Sequence, residues 1–296
     1  MIELDGVSIA KLIPPRPADG DKRAFGSVLD VAGSAYFRGA ALLSAESALR
    51  VGAGYVTLAC PRAVADSAPA RLPDAVLIPL RTKGGCVRGM EYRRVANAAR
   101  RAQAIALGCG LSSPSGGTRS LRRFFKRLVL ALSAIDVPVV LDADGLNLLA
   151  ELQPLALPAR LVMTPHEREL ARLLARDVEA VRADREGSAR EAARKFGAVV
   201  VLKGHRSVVA DGSRMLVNPT GNSALAKAGS GDVLAGAIGG LLAQGLAPFD
   251  AACAGAYLHG LAGEIASRER TEYGVLASDL SGYLPRAIAE TLALSR

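Results

Sequence analysis

Short, almost wholly apolar runs alternate with helix-length segments along this chain, and that alternation restricts the fold more than any other feature of the sequence. Runs at 27–31, 55–59, 75–80, 104–107, 137–141, 161–163 and 198–202 read as strands, with a later pair at 207–210 and 215–217. Segments 39–51, 91–103, 118–135, 167–175, 186–196, 232–244, 249–267 and 277–294 read as helices. Strands that are apolar throughout must be covered on both faces, which is the condition of a parallel sheet. Parallel neighbours need long crossovers, and helices supply them. The expected fold is α/β: a three-layer α/β/α sandwich with a central mostly parallel sheet, one domain over residues 1–296. Residues 1–24 carry Pro14, Pro15 and Pro17 among scattered charges and read as an extended arm within it. Ligands of such sheets sit beyond the carboxyl ends of the strands, and the Gly, Asp and His residues of this chain cluster there.

Composition narrows the partners. Half of the residues are hydrophobic, which allows a sizeable core and argues against disorder. Trp is absent and aromatics make up only 4%, which leaves little for a base-stacking nucleic-acid platform. The net charge of +9 is spread over pairs such as Arg100-Arg101, Arg122-Arg123 and Lys126-Arg127. These read as solvated helix faces, or as a general attraction for phosphate-bearing ligands. No RNA- or DNA-binding motif accompanies them. Cys60, Cys86, Cys109 and Cys253 form no C-x-x-C pair and are expected to be reduced and structural. No run reaches the ~18 apolar residues a membrane span needs, and no leader-like start is visible. The expectation is a cytoplasmic protein.

Residues 218–245 are the most informative stretch. A polar, Gly-rich loop runs into Gly229-Ser230-Gly231-Asp232 and then a helix of small residues. Glycines let backbone amides approach an anion, and a helix N-terminus favours it. Alone, the tetrapeptide is equally a helix start capped by an acid. Other strand ends carry Leu107–Ser112 (LGCGLS), Leu141–Leu149 (LDADGLNLL), Met163–Leu170 (MTPHEREL) and Val199–Gly212 (VVVLKGHRSVVADG). Each has an ordinary structural reading. Asp142, Asp144 and Asn147 suit an Asx turn and cap. Glu167 and Glu169 complement a helix dipole, and Lys203-Gly204 suits a hairpin. Two nearby acids can also organise the waters of a Mg²⁺ ion near phosphate.

AGSGDVLAG resembles the Gly-x-Gly-Asp anion hole of ribokinase-like kinases. More closely, the chain resembles the NAD(P)H-hydrate dehydratases of the YjeF C-terminal type, with matching stretches from Gly26 to Leu280. The spacing Gly33-Ser34-x-Tyr36-x-x-Gly39-Ala40 is similar to that family's signature and is missing from the sugar kinases of the superfamily. The resemblance implies a ribokinase-like fold and an ADP- or ATP-dependent lyase. It would repair the S epimer of hydrated NADH or NADPH, using Mg²⁺ and the nucleotide as phosphoryl donor. It assigns Asp232 as catalytic base, with Gly229, Ser230 and Gly231 as the anion hole. Ala40 (in the pair with Gly39), Gly110 and His166, with Asp232, would bind the hydrate. Lys203, Gly204, His205, Arg206, Ser207 and Gly231 would bind nucleotide. Glu169 takes the place of the superfamily's Mg²⁺-associated glutamate, acting through water. Relatives often carry Lys-Gly-Ala-Gly-Thr where this chain has Lys203-Gly204-His205-Arg206-Ser207. The resemblance also implies a homotetramer, a separate epimerase, and neither nucleic-acid nor membrane partners.

Other readings are a ribokinase-like small-molecule kinase acting on a vitamin precursor or sugar alcohol, and a non-catalytic nucleotide-binding regulator. No P-loop is present. No Rossmann fingerprint follows a strand, so a nicotinamide would be substrate rather than cofactor. His166, His205 and His259 lack metal-ligand spacing, and no G-x-S-x-G elbow occurs.

Overall fold

A computed structural model describes residues 2–295. The first strand, β1 (Ser27–Val31), lies inside the main sheet. The chain then moves outward on one side to β2 (Tyr55–Pro61) and β3 (Val76–Leu80). After a small hairpin, β4 (Thr82–Lys83) and β5 (Cys86–Val87), it returns on the other side of β1. There follow β6 (Ala104–Leu107), β7 (Val139–Leu141), β8 (Leu161–Met163), β9 (Val199–Leu202), β10 (Val208–Ala210) and β11 (Met215–Val217). The spatial order is β11-β10-β9-β8-β7-β6-β1-β2-β3. Only β10 runs against its neighbours. The direction of winding reverses between β1 and β6, which pair in parallel. The loops leaving these two strands therefore diverge and open a crevice at the carboxyl edge.

The helices are α1 (Gly6–Leu12), α2 (Arg38–Arg50), α3 (Arg62–Ala65), α4 (Tyr92–Ala99), α5 (Arg119–Leu132), α6 (Asp144–Leu152), α7 (Glu167–Leu174), α8 (Val178–Ala183), α9 (Arg185–Phe196), α10 (Ser230–Ala243), α11 (Pro248–Gly274) and α12 (Ala277–Ala293). The period of two along each strand sends alternate residues to two separate cores. Val28, Val140, Val162, Val199 and Val201 enter the layer of α2, α10, α11 and α12. Leu29, Val31, Leu141, Met163, Val200 and Leu202 enter the opposite layer, with α4, α5, α7 and α9. The expected three-layer α/β sandwich is the observed one.

α10 explains its own small residues. A Cβ on Gly236 would lie 2.0 Å from the Ser44 carbonyl oxygen, and one on Gly240 would lie 2.6 Å from that of Ala48. The missing side chains thus let α10 lie directly against the α2 backbone. On its other side Gly239 rests over Val28 and Ala106. This contact sets where the first turn of α10 meets the crevice.

Several expectations are corrected. The N-terminal arm is not extended throughout: Asp5 caps α1, its Oδ1 accepting the Ser8 amide at 2.9 Å. Ile9 is fully buried. The prolines end this helix rather than prevent it. Leu4 and Val217 bond through their backbones, so the arm also covers the β11 edge. Helices α3, α6 and α8 and the β4–β5 hairpin were not expected. The helix at 91–103 stops at Ala99, and the one at 249–267 continues to Gly274 across a break at Thr271. Among the described residues no helix is long and apolar enough to cross a membrane.

Gly236→Ala should cost about 1–3 kcal/mol, the usual penalty of overpacking, read as a lower denaturant midpoint. Unchanged stability would mean that α10 does not depend on this approach to α2.

Candidate active site

The turn before α10 begins with Gly229 at φ +94, a conformation that favours glycine. The amides of Gly231 and Asp232 donate to no carbonyl of the preceding loop. They leave the positive end of a fourteen-residue helix free to bind an anion. The turn is pinned from behind. Ser230 Oγ lies 3.1 Å from His259 Nε2, and the same nitrogen lies 3.0 Å from the Ser230 carbonyl oxygen. Burial pushes His259 down to about 4, so the ring is neutral. Facing a carbonyl, Nε2 carries the proton and donates it. The loop ahead of the turn is tied to α11 as well. Asn218 Nδ2 donates to the Ala256 carbonyl at 3.1 Å, Thr220 Oγ1 to that of Tyr257 at 2.9 Å, and the Gly221 amide to Glu264 Oε1 at 2.7 Å.

Asp232 stands in the first turn of α10. Its carboxylate, that of Asp142 and the Cys109 thiol have atoms within 4.8 Å of one another. Lys203 Nζ donates to Asp142 Oδ1 at 2.7 Å and lies 3.9 Å from Glu169 Oε2. A Cβ on Gly231 would stand 3.2 Å from that ammonium, so this glycine leaves room for it. Burial pushes Asp232 up to about 6, and Asp142 adds to the rise against the opposing pull of Cys109 and Lys203. A helix N-terminus favours the ionised form of a carboxylate in its first turn. Asp232 is ionised at neutral pH, yet it sits well above the ordinary carboxylate range because desolvation outweighs the terminus. Burial also lifts Glu169 to about 7, with Lys203 pulling it back. Burial works against the Lys203 charge too, but Asp142 and Glu169 outweigh it and its pKa is raised.

His166 caps α7. Its Nδ1 accepts the amides of Arg168 at 3.1 Å and Glu169 at 3.3 Å, and Glu169 Oε2 accepts the His166 amide at 2.8 Å. This reciprocal box fixes the ring. With Nδ1 accepting, the proton sits on Nε2. Burial, then Lys203 and Arg172, lower its pKa and keep it neutral. The expected structural reading of His166 and Glu169 as a helix cap is the observed one, and the cap fixes the orientation of the His166 ring.

Gly110, at φ +62, is in close contact with the α2 start: a Cβ there would meet the Ala40 Cβ and the Phe37 Cβ, each at 2.8 Å. The two expected hydrate-binding positions, far apart in sequence, are neighbours. Gly39 has open space before it. Of the Asp-Ala-Asp loop, Asp142 joins the charged cluster, whereas Asp144 Oδ2 accepts the Ser112 amide at 2.8 Å and braces the Gly110 loop. Asn147 accepts from Arg172 at 2.7 Å, on the wall of a neighbouring cavity of about 430 Å³. Glu167 pairs with Arg182 and Arg185, outside the cluster.

The turn at 203–207 is joined to the His166 segment by the Lys203 amide, which donates to the Pro165 carbonyl at 2.8 Å. Gly204 takes φ +148 and Arg206 takes φ +54. Arg206 pairs with Glu3 of the arm, and Ser207 Oγ donates back to the Gly204 carbonyl at 3.1 Å. His205 is exposed. Two neighbours of the site escaped the sequence reading. Cys109 was expected to be merely structural. All four cysteines are free and buried, but Cys109 touches the charged cluster, and its place between Gly108 and Gly110 was the available signal. His259 sits in an Ala- and Gly-rich helix that offers no such signal.

Comparisons with known proteins agree with this geometry. The family description that matches, over residues 28–286, is NAD(P)H-hydrate dehydratase. The ADP-dependent (S)-NAD(P)H-hydrate dehydratase of Neisseria meningitidis is 39% identical over 282 residues, 92% of this chain and 86% of that protein. The bifunctional NAD(P)H-hydrate repair enzyme Nnr of Moorella thermoacetica is 39% identical over 278 residues, 92% of this chain. The chain spans about half the length of such bifunctional relatives. Among solved structures, the ADP/ATP-dependent NAD(P)H-hydrate dehydratase of Bacillus subtilis superposes with a TM-score of 0.83 at 31% identity, covering 98% of each chain. A ribokinase-like superfamily protein of Enterococcus faecalis gives 0.85 at 27% identity, over 98% of this chain and 96% of that one. Crevice, free helix amides and family match lead to one assignment: this chain belongs to the NAD(P)H-hydrate dehydratase family.

Proposed function

We propose that the protein is a metabolite-repair lyase that dehydrates the S epimer of NADH hydrate and NADPH hydrate back to NADH and NADPH. Phosphoryl transfer from ADP (or ATP) drives the reaction and releases AMP (or ADP) plus phosphate. One observation carries the reading: the Asp232 carboxyl and the free amides of α10 share a crevice with the Gly110–Ala40 contact. The carboxylate takes the proton of the hydrate's hydroxyl as that oxygen attacks the nucleotide's terminal phosphorus. The bond from phosphorus to the nucleotide's bridging oxygen breaks, and the nucleotide leaves. The Gly229–Gly231 turn stabilises charge on the moving phosphoryl group, a step governed by positioning and electrostatics. The substrate's ring nitrogen then expels phosphate from C6 as an N=C6 iminium forms, phosphate carrying the former hydroxyl oxygen away, and loss of a C5 proton to solvent gives the C5=C6 double bond of the reduced nicotinamide. Ala40, Gly110 and the Nε2 donor of His166 hold the hydrate. Lys203, Gly204, His205, Arg206, Ser207 and Gly231 hold the nucleotide.

Asp142 and Glu169 offer only hard oxygen donors beside Lys203, and such a set fits Mg²⁺ held partly through water. When bound, the ion would neutralise charge on the nucleotide phosphates. ADP is favoured as donor because the Neisseria relative is named for it. The bifunctional names of the longer relatives support a second, epimerising activity, carried by a partner or by another part of the gene product. A cytoplasmic homotetramer belongs to the same reading, and sedimentation would show its size.

Incubation with hydrated NADH, Mg²⁺ and either ADP or ATP should restore the near-ultraviolet absorbance of reduced nicotinamide and release phosphate. A stable phosphorylated product without that absorbance would make the protein a kinase instead. Asp232→Asn should lower kcat by about 10²–10⁴-fold, the range of a lost general base, while nucleotide binding persists. His166→Ala should raise KM for the hydrate more than for the nucleotide; an equal rise in both would make the cap its only role. Because Asp232 titrates at about 6, kcat/KM should fall below that pH as the base is protonated. A profile flat to pH 5 would remove Asp232 from the base role.

A further inference from the structure

One buried carboxyl is used neither by the fold nor by the mechanism above. Asp30, on β1, is 1% exposed, and neither of its oxygens has a hydrogen-bond partner. It shares the face of Val28, in a layer built mostly from Val, Ala and Leu. Its register neighbours are Leu58 on β2 and Ala106 on β6. α2 and α10 cover this face, in contact at Ser44 and Gly236. Val28 lies under Gly239. Asp30 is therefore two residues nearer the carboxyl edge, the direction in which the Asp232 turn lies.

Among the described residues, the groups facing Asp30 include no cation. Ser44 faces it from α2, Asp232 from α10, Cys60 from β2 and Cys109 from the loop after β6. Ser44 Oγ is itself buried without a partner. A charged carboxylate with no cation and at most one nearby hydroxyl, that of Ser44, is expensive in such a place, and a neutral carboxylic acid is less so. Burial pushes the group up to about 8; the neighbouring Ser44 hydroxyl works against the rise, and the charge of Asp232 adds to it. Two carboxyls in one low-dielectric space divide their roles, one ionised and one protonated.

We infer that Asp30 is a positioning residue: a neutral carboxylic acid behind Asp232 that leaves Asp232 as the charged member of the pair. The inference rests on Asp232 acting as the base in the reaction proposed above. In mild alkali Asp30 loses its proton to solvent. Its charge then opposes the negative charge on the transferring phosphoryl group. Turnover should therefore decline through a group that never touches substrate.

The test compares wild type with Asp30→Asn, which keeps the shape without the charge, and Asp30→Val, which suits the apolar face if the amide fails to fold. Wild-type kcat should fall around pH 8 with KM for the hydrate little changed, and both variants should stay active through that range. Thermal melts give a second reading that needs no activity. The folded state holds a proton that the unfolded chain has released above its ordinary carboxyl pKa of 3.8. Wild-type stability should accordingly fall as pH rises from about 4 to about 8. The Tm gap in favour of the variants should widen over that interval. The same alkaline fall in both variants, no alkaline fall in wild type, or a Tm gap independent of pH would overturn the inference. Absent turnover with a widening gap would instead count against the dehydratase reading while leaving Asp30 neutral in the fold.

Discussion

Close contact between α10 and α2 positions nearly everything else in the site. Gly236 and Gly240 remove the side chains that would hold the two helices apart. α10 then lies over β1 and β6 with its free N-terminus above the switch in winding direction. The Gly-rich character that reads in sequence as an anion loop thus continues into the helix for a second reason, backbone packing. His259 completes the arrangement by holding Ser230 from the α11 side. The amides owe their fixed positions to these contacts, so in the proposed reaction a phosphoryl group would meet donors that need not reorganise.

Electrostatics within the crevice are set by shortage of positive charge. Lys203 answers Asp142 directly and Glu169 at longer range. Asp232 has no ion-pair partner and stands in a desolvated first turn. In the proposed reaction, its raised pKa suits a base near neutral pH. Glu169, half cap and half counter-charge, shows one residue doing structural and electrostatic work together. Its box with His166 orients the imidazole, and its proximity to Lys203 keeps the ammonium charged.

Much of this was legible in the sequence. Strands at 104–107, 161–163 and 215–217 have the bounds that their apolar runs suggest, because each run is closed by glycine or polar residues at both ends. Short helices were harder. α6 begins directly at Asp144, after Ala143 at φ +51, and its Asp-rich start reads as an Asx turn. α1 is hidden by the prolines behind it, although Asp5 and Ser8 have cap spacing. The glycine and Asp motifs pointed to their crevice because the chemistry constrains them locally. His259 could not be found that way: its contact with Ser230 joins residues 29 apart on different helices. Asp30 was visible as an acid inside an apolar strand, but only the surrounding helices show that nothing pairs with it.

The account depends most on phosphate leaving with the substrate's own oxygen. Hydrated NADH carrying a heavy-oxygen label in its hydroxyl reports this directly when turned over with Mg²⁺ and the nucleotide. The label should appear in inorganic phosphate, because the crevice is built to phosphorylate that oxygen before it departs. Label found in water, with phosphate unlabelled, would contradict the account.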